Sequence, residues 1–132
     1  MSLHLLDTNV WIALAHGEVA VVAHLRRLPL SEVVSCSIIR AELAFGARKS
    51  RRVAENLEGF QQLLAPYASL PFDDISADHY GMIRAALERG GTPIGANDLL
   101  IASVALAHNC ILVTRNSREF RRVAGLRIEE WR

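Results

Sequence analysis

Four acidic side chains scattered along the chain, Asp7, Glu42, Asp98 and Glu119, together with the amides of Asn9 and Asn116, are the residue types that could do chemistry in concert. Carboxylates gathered in one depression disfavour joint ionisation, and some of their pKa values rise unless a cation compensates. An all-oxygen site with no cysteine and no histidine pair suits Mg²⁺ or Mn²⁺ better than zinc. Such an ion polarises a phosphodiester oxygen and lets water act as a nucleophile at neutral pH, so the expected chemistry is metal-assisted phosphodiester hydrolysis with one or two ions. Two of the acids also have a plainer reading. Asp7 is well placed to cap the helix that follows it, and Asp98 falls in a first helical turn where the helix dipole favours a negative charge.

Positioning these groups falls to strands that alternate with helices. Leu3 to Leu6 is a short apolar run delivering Asp7 to its end, which reads as a buried strand. Helical spacing follows over Thr8–Ala15 and Val19–Leu28, with Gly17 between them. Val33–Cys36 is a second strand, and Ser37 is placed to cap a helix reaching Arg48. Ile38, Ala41, Glu42 and Phe45 share one face of that helix, which sets Glu42 in an apolar stripe. A carboxylate there requires a partner cation, a protonated form or an open cleft. A helix over Val53–Ala65 ends at Pro66, Ser69–Phe72 is a third strand candidate, and Ser76–Arg89 is a helix closed by Gly90-Gly91. The connector Thr92-Pro93-Ile94-Gly95 leads into Ala96–His108, a helix apolar nearly all round and therefore central. Cys110–Thr114 and Leu126–Glu129 complete the strand set. This alternation predicts a parallel sheet of four to five strands covered on both faces by right-handed crossovers. Asp7 and the segment after Thr114 then lie at strand C-terminal ends, and Glu42 and Asp98 sit on helices starting near the same edge.

The bulk properties exclude several classes. A chain of 132 residues fits one domain with a sizeable core. An apolar fraction of 51% and a mean hydropathy of +0.18 argue against disorder. No apolar run approaches the ~20 residues that span a bilayer, and Met1 to Ile12 lacks a basic leader and a cleavage site, so a soluble, unexported, cytoplasmic protein is expected. Cys36 and Cys110 fall in strands, where free cysteine acts as a small apolar side chain. Net charge is +1, yet Lys49 is the only lysine among 15 basic residues, and arginine suits phosphate recognition. The arginines near the expected rim, Arg48, Arg51, Arg115 and Arg118 with Arg121 and Arg122, are candidate phosphate contacts, although surface arginines more often do nothing specific. Trp11 reads as core or interface rather than as a stacking platform.

The segments Leu5-Leu6-Asp7-Thr8-Asn9, Ser37-Ile38-Ile39-Arg40-Ala41-Glu42-Leu43, Gly91-Thr92-Pro93-Ile94-Gly95-Ala96-Asn97-Asp98 and Val113-Thr114-Arg115-Asn116-Ser117-Arg118-Glu119-Phe120 resemble the PIN domain. Within it the chain resembles VapC, the toxin ribonucleases of type II toxin–antitoxin pairs, down to the closing Gly125–Trp131. The resemblance implies a single three-layer α/β/α PIN domain over residues 1–132 and a Mg²⁺-dependent endoribonuclease held inactive by a VapB-like antitoxin. By matching positions, Asp7 and Asp98 are the principal metal ligands and Glu42 completes the acidic quartet and helps orient water. Asn116 holds the cluster together, with Thr8, Asn9 and Thr114 as polar support. Glu119 stands where many PIN domains have aspartate, so its reach to the metal is the open point. The likeness is nearest to members that cut initiator tRNA in the anticodon loop, and tRNA or mRNA is the implied substrate. A homodimer and a larger toxin–antitoxin assembly are implied partners, with no membrane.

Other readings fit less well. An aspartyl-phosphate phosphatase wants a second carboxylate two residues after its nucleophile, where this chain has Asn9, and a phospho-receiver wants a lysine at the site, whereas Lys49 lies at a helix junction. A catalytically silent RNA- or protein-binding PIN module is the remaining alternative.

Overall fold

The first strand, β1 (Leu3–Leu6), sits at the centre of a five-stranded, all-parallel sheet. The computed structural model describes residues 2–132. In chain order β1 is followed by α1 (Thr8–Ala15), α2 (Val19–Arg26), a 3-10 turn (Leu30–Glu32), β2 (Val33–Cys36), α3 (Ser37–Arg48) and α4 (Val53–Leu64). Then come β3 (Ala68–Leu70), α5 (Asp74–Arg89), α6 (Ala96–Ala107), β4 (Cys110–Val113), α7 (Ser117–Phe120) and β5 (Arg127–Glu129). The strands lie in the order β3-β2-β1-β4-β5, flanked by helices. The winding therefore reverses between β1 and β4, and in open parallel sheets ligands bind outside the carboxyl ends of the strands at that reversal.

Register places the site. Leu3, His4, Leu5 and Leu6 of β1 pair with Cys110, Ile111, Leu112 and Val113 of β4. Asp7 and Thr114 consequently leave the sheet side by side, and Asp7 N–H still donates to the Val113 carbonyl at 2.8 Å. The three inner strands are buried on both faces, while β3 and β5 at the edges stay largely open. Leu5, Leu6, Val33, Val34, Leu112 and Val113 meet Val10, Trp11, Ile39, Ile101 and Val104 from the helices in one continuous core. Trp11 is fully buried and meets Tyr67 edge-on at 5.1 Å, a core role. Cys36 and Cys110 are free and buried.

Local chemistry moves several boundaries. Ser37 is not the cap of α3: Cys36 occupies that position without a side-chain bond, and the Ser37 hydroxyl leans towards the Leu70 carbonyl instead. Helix α5 begins at Asp74 rather than Ser76, because the Asp73 carboxylate accepts both the Ser76 N–H and its hydroxyl. The third strand is Ala68–Leu70 and stops before Pro71. The segment Ser117–Phe120, which carries no hydrophobic period of its own, closes one helical turn under Asn116. Behind it the tail is fastened: Thr114 N–H donates to the Glu129 carbonyl, and Ser117 Oγ donates to the Glu130 carboxylate. Trp131 is buried, with its ring stacked on His24 at 5.4 Å. Among the described residues no helix is long and apolar enough to cross a membrane.

Candidate active site

Asp7 is 6% exposed and both of its carboxylate oxygens are engaged. Oδ1 accepts from Thr8 N–H at 2.8 Å, so the capping role is real. Oδ2 accepts from the Thr114 hydroxyl, also at 2.8 Å, which fixes the side chain across the β1/β4 junction. That hydroxyl in turn accepts from Asn116 N–H at 2.9 Å and so shapes the loop leaving β4. One structural bond and one site-forming bond therefore share the same carboxylate.

The Asn116 amide bridges two further acids. Its Nδ2 donates to Asp98 Oδ2 at 3.2 Å and to Glu119 Oε2 at 2.8 Å. Glu119 Oε1 accepts from Gly95 N–H at 2.6 Å, directly ahead of α6, which closes the loop onto the helix that carries Asp98. The length of the glutamate thus brings it to the cluster through the backbone of the Gly-Thr-Pro-Ile-Gly connector. A Cβ on Gly95 would stand 3.6 Å from Glu119 Oε1 and 3.9 Å from Asp98 Oδ2, so the absence of a side chain keeps this wall open. Glu42 enters from α3, with Oε1 accepting from the Thr8 hydroxyl at 2.7 Å and Oε2 facing Asn97 Nδ2 at 3.4 Å. The α3 stripe is not core: Ile39 and Ala47 are buried, whereas Phe45 is 66% exposed, so Glu42 looks into an open cleft.

Burial and like charge then separate the acids. Desolvation raises Asp7 above the ordinary carboxylate range, against the lowering effect of Thr114 and Thr8 and with added repulsion from Glu42 and Glu119. Asp98 is raised to about 6, first by desolvation and then by Asp7, Glu119 and Glu42. Glu119 moves down, because Gly95 N–H and then the Asn116 amide hold its charged form. Among the described residues no three acidic, histidine or cysteine groups converge into a ready-made coordination shell. Instead, four carboxylates within electrostatic reach carry more negative charge than their donors offset. That oxygen-only set, left short of positive charge, fits a hard cation that keeps part of its hydration.

The placement of the remaining candidates is uneven. Thr8, Thr114 and Asn116 join the network, whereas Asn9 is exposed on α1 and, among the described residues, its side chain bonds none of the acids. Arg48, Arg51 and Arg118 are exposed. Arg115 is paired with Glu18 at 2.5 Å, and Arg122 holds the Pro93 carbonyl at 3.0 Å. Two contributors had no individual prominence in the sequence: Gly95, through its N–H, and Asn97, whose position next to Asp98 is the one clue it carries.

Comparison with known proteins agrees with this geometry. The PIN domain family matches residues 4–126. The chain is 38% identical over 127 residues to a tRNA(fMet)-specific endonuclease VapC of Shigella flexneri, covering 96% of each chain. It is 35% identical over 131 residues to Ribonuclease VapC2 of Rickettsia felis, covering 98% of each. Among solved structures it resembles VapBC2 from Rickettsia felis bound to a promoter DNA fragment, with a TM-score of 0.92 and 33% identity over 98% of this chain and 99% of that one. It resembles DNA-bound VapBC from Salmonella typhimurium equally, with a TM-score of 0.92 and 36% identity over the full length of both. Fold, acidic cluster and full-length likeness agree: the chain belongs to the PIN domain family and, within it, to the VapC ribonucleases.

Proposed function

We propose that this protein is the toxin of a two-protein toxin–antitoxin pair, a Mg²⁺-dependent endoribonuclease hydrolysing RNA phosphodiester bonds, with Mn²⁺ as the alternative ion. The observation that carries the reading is the meeting of Asp7, Glu42, Asp98 and Glu119 at the β1/β4 switch point, bridged by Thr114, Asn116 and Thr8. Asp7 and Asp98 would hold the ion, and Glu42 and Glu119 would border it. When bound, the ion supplies Lewis acidity towards the phosphodiester and brings the hydrolytic water into reach of neutral pH. The chain's own part is orientation. Thr114 fixes the Asp7 carboxylate, the Asn116 amide keeps Asp98 and Glu119 from swinging apart, and Thr8 aims Glu42 at the cleft. Glu42, on the open side, is the group placed to orient or accept a proton from water.

The same reading extends to substrate and partners. The relatives named tRNA(fMet)-specific endonucleases support initiator tRNA as the substrate, with mRNA the alternative. The cut in its anticodon loop is our own expectation. The neighbouring structures named VapBC support a VapB-like antitoxin as partner. A groove of about 490 Å³ between α1, α3 and α4, with Ile12, Leu43, Phe60 and Leu63 beside Glu42, offers apolar surface to such a partner. A homodimer within a larger assembly belongs to the same proposal, resting on apolar residues on both sides of the helices between Val19 and Leu64, of which Val19 and Leu30 are exposed. A cleavage assay on total tRNA with Mg²⁺, against Asp7→Asn and a chelator control, tests the activity. Cutting by wild type alone is expected. Intact RNA with both proteins would leave a silent binding module, and equal cutting by both would refute the ligand assignment.

A further inference from the structure

Helix α3 carries more than Glu42 to the cleft. One turn on from Glu42, Phe45 is 66% exposed and presents its ring to solvent beside the cleft. One further turn on, the ammonium of Lys49 lies over that ring, 5.2 Å from its centroid. Residues spaced by three and four along a helix share a face, so the acid, the ring and the cation form one continuous strip. The strip borders a cavity of about 580 Å³ whose wall includes Thr8, Glu42 and Asn97 from the acidic cluster and Leu100 from α6. A pocket of this size accepts a nucleotide. Its ingredients match what single-stranded nucleic acid needs: an aromatic face for a base, a cation for a phosphate and an amide for a base edge.

We infer that this cavity is a subsite for one nucleotide of single-stranded RNA flanking the scissile phosphate, with its base stacked on Phe45 and its phosphate met by Lys49. The inference rests on the nuclease reading and deepens it. An arriving base takes the ring face now covered by the ammonium, and the flexible lysine stem carries the charge to the neighbouring phosphate. A protein segment could also use an exposed ring, but an apolar partner gains little from a lysine and an amide beside a carboxylate. A phosphate-bearing strand is matched by the ring, the ammonium and the amide together. Because stacking suits every base, the subsite adds affinity for unpaired RNA and leaves sequence choice to other contacts.

The test uses the full-length chain carrying Asp98→Asn, so that RNA is bound without being cut, and fluorescein-labelled oligouridine read by anisotropy in Mg²⁺. Adding Phe45→Ala is expected to weaken binding about tenfold, Phe45→Trp to preserve it, and Phe45→Leu to behave as alanine does. In the otherwise wild-type enzyme, Phe45→Ala is expected to raise KM and leave kcat unchanged. The exposed position makes a folding defect a minor concern, and a melting curve checks it. Equal RNA affinity for Phe45→Ala and its parent would overturn the inference, as would full affinity in Phe45→Leu. A change in self-association or antitoxin affinity with RNA binding unaltered would assign the ring to a protein interface and refute the RNA subsite. If the Asp98→Asn parent fails to bind and wild type leaves RNA intact, the nuclease reading falls as well. If the parent binds and wild type cuts, only the subsite is at stake.

Discussion

Replacing Asp98 by asparagine should abolish cleavage and, without metal, stabilise the fold. The native carboxyl is raised from 3.8 to about 6 because it is desolvated and faces Asp7, Glu119 and Glu42. At ~1.4 kcal/mol per pKa unit, ionising it in the native state costs ~3 kcal/mol before screening. The group is partly open to water, which reduces this to ~1 kcal/mol. For a domain of 132 residues that corresponds to a melting shift of about 4 °C. Asparagine keeps the shape and an acceptor for Asn116 Nδ2, so no hydrogen bond is lost in exchange. The direction with pH follows from a native pKa above the unfolded one. The penalty is absent below 3.8, grows as pH rises towards about 6 and is complete above it. Scanning calorimetry in chelator should therefore show Asp98→Asn melting above wild type near pH 7.5, with the gap closing near pH 4. Mg²⁺ should raise the wild-type melting temperature more than that of the variant. A variant that melts lower than wild type without metal, or a gap that ignores pH, would refute the electrostatic argument.

Glu119→Gln should act in the opposite sense, since both native oxygens accept N–H donors and an amide nitrogen would face one of them. A loss of about 1 kcal/mol is expected after solvent screening, checked by denaturant titration. That stabilising contribution is present above the ordinary value of 4.5 and disappears as pH falls through the lowered native pKa, so the difference from wild type should shrink in acid. Thr114→Val deletes a fully buried hydroxyl that serves Asp7 and Asn116, and should cost about 2 kcal/mol. It should also move the acid limb of the pH–rate profile upward, because a donor that lowers the Asp7 pKa is removed. Chelation should stop cleavage and Mg²⁺ or Mn²⁺ should restore it, read on labelled RNA. Sedimentation of the isolated chain should show a dimer, and a monomer at working concentration would contradict the proposed assembly.

The strand–helix alternation was legible because each inner strand is buried on both faces and reads as a mostly apolar run, with His4 in β1 and Ser35 in β2 the buried polar exceptions. Edge strand β3 was placed less well, since an exposed strand lacks that pattern. Ser37 was misread because a hydroxyl is a good cap in isolation, whereas here Cys36 holds the cap position at the end of β2; the start of α5 was set two residues late because the Asp73 cap was not recognised. The acids themselves stood out through type and order. What could not be read was their mutual wiring. That Asn116 spans Asp98 and Glu119, that Gly95 N–H anchors Glu119 and that Asn97 faces Glu42 are tertiary facts with no local period. Nor does the sequence tell that the Glu42 face of α3 is open, because an exposed phenylalanine and a buried one are written alike.

The tail behind the acid loop has a consequence for synthesis. Thr114 leans on the Glu129 carbonyl and Ser117 on Glu130, and Trp131 shuts the corner against His24. A nascent polypeptide that has passed Asp98 still lacks the strand and turn that gather its carboxylates. The carboxylate cluster therefore comes together only once the residues between Asp98 and Trp131 have been made, because a domain folds as a unit. The site is thus completed in one step rather than assembled acid by acid.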